Sequence, residues 1–354
     1  MISPALLYPY VLVPKAAPAI WGGDALVRTY GKAGDPAATI GESWECWDAN
    51  RVANGELAGE TVGELRARLG SELTGAIDAT RLFPILTKII DARAALSVQV
   101  HPDDAYAQRV EGQPFGKAEC WYILAADAGA ELVLGWTADT TREEYVRRVA
   151  DGSLGDILRR VPVHAGDVFY LPAGTMHAIG AGIQLFETQQ ASDLTYRIFD
   201  WNRVGPDGKP RELHVDKAAD VLDYHAGTSG AMRSLAFRTG ELERTLLIAD
   251  EHFVVERLAV GDTPGTLATD GLPLTITALG TDIELEGAGG RTTLTAWSSA
   301  IVPAAVASVT LRCAQRGPCA LVARPQPQLA ATRAQALAAG SSQAAVDDFF
   351  NQFR

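Results

Sequence analysis

The stretch SVQVHPDD at residues 97–104 sets Ser97, Gln99 and His101 at alternate positions among valines. In an extended strand, side chains two apart share a face, so these polar groups line one side while Val98 and Val100 line the other. GKAECWYIL at 116–124 repeats the design, with Lys117, Glu119 and Trp121 on one side and Ala118, Cys120 and Tyr122 on the other. A third stretch, HAGDVFYLPAGTMHAIG at 164–180, brings in His177 after a strand, a proline and a glycine turn. Two imidazoles, a carboxylate and an amide oxygen make a donor set suited to a divalent metal with a position left open for substrate. A lone strand histidine is ordinarily just a hydrogen-bonded residue, and Glu119 alone could pair with Lys117. The combination is what points to chemistry, because His101 and His177 are two of only six histidines and both sit in motifs dense in Gly, Pro and polar residues. Of the other four, His164 opens a turn and His214, His225 and His252 lack such surroundings, and all four read as ordinary residues.

Short alternating segments bounded by Gly, Pro, Asp or Asn dominate the chain, the period-2 signature of antiparallel strands. The fold class expected is mainly β. Three stretches read as helices instead. In TVGELRARLGSEL, Thr61 and Glu64 are spaced as a capping box and Val62, Leu65 and Leu69 share a face. In TTREEYVRRVADG, Thr140 and Glu143 have the same spacing and Gly152 is the expected stop. In ELHVDKAADVLDY, Val215, Ala218, Ala219 and Leu222 recur at helical intervals. From about residue 229 the texture is again strand and turn, and the Ala-rich segment 327–354 is expected to be a terminal helix or a tail.

The 354 residues, 47% of them hydrophobic, can bury a sizeable core in one large or two moderate domains. A formal net charge of −12 argues against a nucleic-acid partner or an anionic membrane surface, either of which needs a broad basic face. Cys46, Cys120, Cys313 and Cys319 show neither CxxC spacing nor the density of a disulfide scaffold, so a reducing cytoplasm is expected. Prolines at 4, 9, 14 and 18 interrupt the apolar amino terminus, so no signal peptide is expected. Nor is a membrane partner, since nowhere does an apolar run reach the ~18 residues of a spanning helix.

Several motifs together carry a family resemblance. IWGG at 20–23, GESWECWD at 41–48, FPILTKIIDARAALSVQVHPDD at 83–104, GKAECWYIL, GDVFYLPAGTMHAIG and ETQQASDLTYRIFDWNR at 187–203 occur in the order found in the type I mannose-6-phosphate isomerases, and the chain resembles the shorter bacterial form of that family. The resemblance runs from about residue 10 to 225 and continues weakly beyond. It implies a cupin fold of jelly-roll barrels, one catalytic and one degenerate. The corresponding division is a catalytic domain over 1–228 with a helical insertion near 138–162, a metal-free β domain over 229–326, and the tail over 327–354. No histidine follows His252, so the second domain cannot repeat a two-histidine site.

The resemblance also implies one zinc ion on Gln99, His101, Glu119 and His177, and interconversion of the phosphorylated hexoses mannose 6-phosphate and fructose 6-phosphate. Such a reaction passes through an enediol and needs a base, a proton route between two oxygens and a cation to stabilise developing negative charge. Arg197 matches the family's catalytic arginine and Asp193 an acidic residue of the same region, with Glu187 a further candidate for proton transfer. Spacing alone would equally allow Arg197 to be a structural ion-pair residue. Lys117, Ser97 and Lys88 are the expected substrate-binding residues, although Lys88 could equally be an ordinary strand-edge lysine. Two other classes share part of this pattern, an Fe(II) cupin oxygenase and a non-catalytic sugar-binding cupin.

Overall fold

Alternation of apolar and polar residues gives antiparallel strands that pair into four sheets in a computed structural model describing residues 4–353 other than Pro36, Pro206, Asp207, Thr228 and Ser229. The chain divides into two compact units: Ala16–Ser43 with Lys88–Met232, and Met1–Lys15 with Trp44–Thr87 and Arg233–Arg354. The expected boundary between 228 and 229 falls on residues outside those described, and the expected continuous first domain is replaced by a chain that passes between the units several times. Residues 44–87 belong with the carboxy-terminal strands because they bond to them: Ala304 N–H donates to the Leu73 carbonyl at 3.0 Å and Ala305 N–H to that of Glu72 at 3.0 Å.

The unit built on Lys88–Met232 is a two-sheet jelly-roll barrel of the cupin type. One sheet runs Val168–Leu171, Glu119–Ala126, Ile183–Gln190, Ile85–Ala92, Lys15–Gly23, Ile40–Cys46; the other runs Tyr196–Phe199, Val98–Val100, His177–Ala178, Glu131–Trp136, Leu158–Pro162. Trp121, Ile123, Phe169 and Leu185 of the first sheet and Leu132, Leu134 and Val161 of the second fill a shared core. Val98 and Val100 face the other way and pack with Tyr145, Ala218 and Leu222 from the helical segments Arg142–Asp151 and Val215–Val221 and their flank. A strand with helices on one side and a barrel interior on the other therefore has its valines on the helix side and Gln99 on the interior side.

The helices start where side-chain oxygens meet free N–H groups. Thr61 forms the full capping box with Glu64 ahead of Val62–Leu69, and Gly70 ends that helix at a φ of 54°. The second helix is capped by Thr141 accepting from Glu144 N–H, one residue later than the expected Thr140 and Glu143. Thr140 is instead held in the preceding turn, its N–H donating to the Tyr224 carbonyl at 2.9 Å. Gly152, in the left-handed region, ends the helix as expected.

The other unit holds an eight-stranded sheet and the four-stranded sheet Gly265–Ala268, Ser308–Cys313, Ile283–Gly287, Gly290–Leu294. Its interior cluster is made of Leu, Val, Ile, Ala and Cys. The segment after residue 327 forms helices Leu329–Ala338 and Gln343–Phe350, and Val346, Phe349 and Phe350 bury against Leu235, Phe237, Leu246 and Val254. Among the described residues, no helix is long and apolar enough to cross a membrane.

Candidate metal centre and active site

Strand register builds the site. His177 stands opposite Gln99 on one neighbour of the Val98–Val100 strand, and Arg197 stands opposite Gln99 on the other. Directly opposed residues project to the same side of a sheet, so the three line up across the interior face. From the other sheet, Glu119 opens the strand Glu119–Ala126 and is paired with Gln189, while Trp121, two residues on, is paired with Glu187. A single close approach seats the segment before Glu119. A Cβ on Gly116 would lie 2.4–2.6 Å from backbone atoms of Pro102, Asp103 and Asp104, so only glycine lets the chain pass there. Lys117 N–H then donates to the Pro102 carbonyl at 3.0 Å, Gly116 N–H to Asp104 Oδ1 at 2.7 Å, and Ala118 N–H to Gln190 Oε1 at 2.9 Å.

His101, Glu119 and His177, all buried, converge with one donor atom each within 4.8 Å of the others. Each imidazole is oriented from behind, His101 Nδ1 lying 2.7 Å from the Leu194 carbonyl and His177 Nδ1 2.9 Å from that of Thr175. A carbonyl can only accept, so both Nδ1 atoms carry the proton and both Nε2 lone pairs face the centre, the tautomer a metal-binding histidine needs. Nε2 of His101 is 3.3 Å and Nε2 of His177 3.6 Å from the Glu119 carboxylate. The Gln99 amide lies 3.2 Å from His177 Nε2, with Ser97 Oγ donating to its oxygen at 3.3 Å. Trp121 packs edge-on to His177 with ring centroids 5.3 Å apart.

Electrostatics keeps this donor set in its binding form. Burial, with Lys117 next to it, pushes the His101 imidazole down to about 3, and burial lowers His177 as well, so both rings are neutral. Burial alone would raise the Glu119 carboxyl, but the Lys117 ammonium holds it well below the usual carboxylate range. Lys117 Nζ is 3.1 Å from His101 Nε2 and pairs with Glu119. Glu119 Oε2 has no hydrogen-bond partner although it is buried, and the Trp121 Nε1 and Arg197 Nε atoms share that condition. Unsatisfied buried polar atoms are rare in native proteins, and a cluster of them fits a site that receives a cation and a polar ligand.

Beside this centre, Lys88 Nζ lies 3.4 Å from the Glu187 carboxylate and 3.6 Å from that of Glu42. Burial and the Glu119 charge raise the Glu187 carboxyl to about 7 against the opposing pull of Lys88. Burial works against the Lys88 charge, yet Glu187 and Glu42 keep it protonated. Arg197 is half-buried, with NH1 donating to the Glu212 carbonyl at 2.9 Å.

Of the residues read from the sequence, Gln99, His101, Glu119, His177 and Lys117 meet at one point, Ser97 supports Gln99, and Lys88 meets Glu187. Asp193 is exposed, and the charges that bear on Arg197 after its burial are those of Arg211, Asp200, Arg203 and Glu212. Sequence reasoning missed Glu42 and Asp200, although they sit in the GESWECWD and ETQQASDLTYRIFDWNR motifs, and missed Arg211, which lies in no such motif. It also missed the latch in which Gln190 Nε2 donates to Asp104 Oδ1 at 2.9 Å.

Residues 11–137 match the family described as Phosphomannose isomerase type I, catalytic domain. A mannose-6-phosphate isomerase of Streptococcus mutans is 42% identical over 240 residues, 67% of this chain and 74% of that protein. The Bacillus subtilis mannose-6-phosphate isomerase ManA is 45% identical over 209 residues, 58% of this chain and 64% of that protein. A crystal structure of the mannose 6-phosphate isomerase from Bacillus subtilis superposes with a TM-score of 0.80 at 31% identity, covering 89% of this chain and 99% of the other. With two buried histidines and a glutamate meeting inside a jelly roll that these relatives share, the chain belongs to the type I mannose-6-phosphate isomerase family.

Proposed function

We propose that this protein is a metal-dependent aldose–ketose isomerase that interconverts mannose 6-phosphate and fructose 6-phosphate through an enediol, with one zinc ion on Gln99, His101, Glu119 and His177. The observation that carries the reading is the convergence of His101, Glu119 and His177 within 4.8 Å in a chain of this family. Bound there, a divalent cation supplies Lewis acidity to the oxygens of the sugar. The isomerisation moves a proton between C2 and C1. Glu187 is the proposed carrier: with its carboxyl raised to about 7 it gives up and takes back a proton with similar ease near neutrality. Lys88 holds that carboxylate in place rather than holding the substrate, and Ser97 orients Gln99. Arg197 stabilises the negative charge of the enediolate. We assign proton transfer to Glu187 in preference to Asp193 because Glu187 is buried beside the metal centre, whereas the Asp193 side chain lies in solvent.

A phosphorylated sugar needs positive charge, and Arg197, Arg203 and Arg211 gather around one carboxylate, Asp200. This local surplus, together with Lys117, supports a sugar phosphate over a free sugar. Four free thiols support a reducing compartment such as the cytoplasm. The test is a coupled isomerase assay with mannose 6-phosphate, mannose and glucose 6-phosphate, run beside metal analysis and oxygen uptake. Turnover confined to mannose 6-phosphate, with zinc and no oxygen consumption, is the expected result. Equal turnover of mannose rejects the phosphate requirement, and oxygen consumption rejects the isomerase.

A further inference from the structure

Asp200 follows the strand Tyr196–Phe199 that carries Arg197, and its buried carboxylate accepts from two guanidiniums. Arg203 reaches it through NH2 at 2.5 Å, and Arg211 through Nε at 2.7 Å and NH2 at 2.5 Å. The two pairs lead in different directions. Arg203 also donates to the Ala95 carbonyl at 2.6 Å, and the Trp201 indole to the Leu96 carbonyl at 2.7 Å. Between them the turn passes through Trp201 and Asn202, both at a φ of 54°, a conformation that residues with side chains hold only when their surroundings impose it. This half of the clamp ties the turn to the residues just before Ser97 and Gln99.

Arg211 leads back to Arg197. Its neighbour Glu212 presents the carbonyl that accepts from Arg197 NH1 at 2.9 Å. Two residues further, His214 N–H donates to the Arg197 carbonyl at 2.7 Å, and Arg197 N–H donates to His214 Nδ1 at 3.3 Å. The returning segment thus grips Arg197 by both main chain and side chain, while its buried Nε is without a partner. Asp200 also supplies the negative charge among three guanidiniums that would otherwise repel each other.

We propose that Asp200 is a positioning residue for Arg197: by anchoring Arg211 it fixes the Glu212 carbonyl that holds the Arg197 guanidinium, in register with Gln99. The inference rests on the role given to Arg197 under Proposed function and extends it to a residue that does not touch substrate. A misdirected guanidinium still leaves metal binding intact but no longer meets the charge of the transition state.

The experiment compares Asp200→Asn, Arg197→Ala and the double variant in the full, metal-loaded chain. In Asp200→Asn, kcat should fall by about 10-fold, with KM within about 2-fold and metal content unchanged. The double variant should be no slower than Arg197→Ala alone, because the interaction that Asp200 serves is already gone. Wild-type kcat in Asp200→Asn beside an impaired Arg197→Ala overturns the positioning role alone, as do losses that multiply in the double variant. Wild-type kcat in Arg197→Ala overturns the reading of Arg197 itself and the proposal with it. Should Asp200→Asn fail to fold, Arg211→Gln opens the same clamp while keeping the Asp200–Arg203 pair, and the same comparison decides.

Discussion

Arg197 and Gln99 face each other across adjacent antiparallel strands, so one register delivers a permanent positive charge and a proposed metal ligand to the same interior face. A slip of one residue would turn Tyr196 or Ile198, which pack with the outer helices, into the site and Arg197 out of it. The pairing is irregular just beyond this point, with a shift between Arg197 and Phe199, so the strand ends where its task ends.

The metal comes first among the expectations. Removing it with a chelator should abolish turnover, and added zinc should restore it. His177→Ala removes an imidazole whose Nδ1 is already fixed by the Thr175 carbonyl. Its metal affinity should drop by more than the ~10–100-fold that follows loss of an outer partner, with the barrel still folded on its apolar core. Stoichiometric zinc in that variant, measured by elemental analysis, would remove His177 from the ligand set.

Glu187 should set the acid limb of the pH profile. Its carboxyl is raised to about 7 by burial and by Glu119, and a base must be ionised, so kcat/KM should fall as the pH drops below that value. Lys88 works in the opposite sense by favouring the ionised form. Lys88→Met should therefore shift the limb to higher pH, and Glu187→Gln should lose about 10²–10⁴ in kcat at all pH values. An acid limb unmoved in Lys88→Met would mean that another group titrates.

Much of this was legible in the sequence because strand periodicity is a local property. Ser97, Gln99 and His101 announce a polar face two residues at a time, and Lys117, Glu119 and Trp121 do the same. The capping box at Thr61 is equally local. What stayed hidden depends on contacts distant in sequence. Glu42 acquires meaning only through Lys88, 46 positions on, and Asp200 through a returning segment that no periodicity marks. The division of the chain was misread for the same reason, since residues 44–87 join strands that begin some 150 residues later. Asp193 shows the converse, a charged residue in a telling motif whose side chain the fold leaves in solvent.

Stability of the second unit should depend on one buried ion cluster. Arg244 donates to both Glu256 oxygens, at 2.6 and 2.7 Å, and Arg324 lies 3.6 Å from the same carboxylate, all three being buried. Glu256→Gln leaves two guanidiniums short of their counter-charge and should destabilise the protein by about 3–5 kcal/mol. Burial would raise the Glu256 carboxyl, but Arg244 and Arg324 hold it below the ordinary value. Its contribution is therefore complete at neutral pH and is lost as the pH falls through that depressed value. Denaturant titrations of both proteins at pH 7 and in acid should show the gap narrowing in acid; a difference under about 1 kcal/mol at pH 7 would contradict the cost of an uncompensated buried charge.

Arg197 separates chemistry from architecture. It lies opposite the proposed ligand Gln99, and its guanidinium is held at one end by the Glu212 carbonyl while Nε is buried and unpartnered. Burial, with Arg211 beside it, lowers its proton affinity, though a guanidinium remains charged in any working range. A cation held in a fixed place acts most strongly on charge that appears during the reaction. Arg197→Ala should consequently bind zinc normally and lose about 10² or more in kcat, with a smaller change in KM. Lysine at the same position should recover only part of the rate, since a flexible point charge reproduces neither the planar fork nor the bond to Glu212. Steady-state kinetics on metal-replete variants decide the matter: near-normal kcat in Arg197→Ala would leave it a structural residue, bonded to the chain around Glu212 and His214 and nothing more.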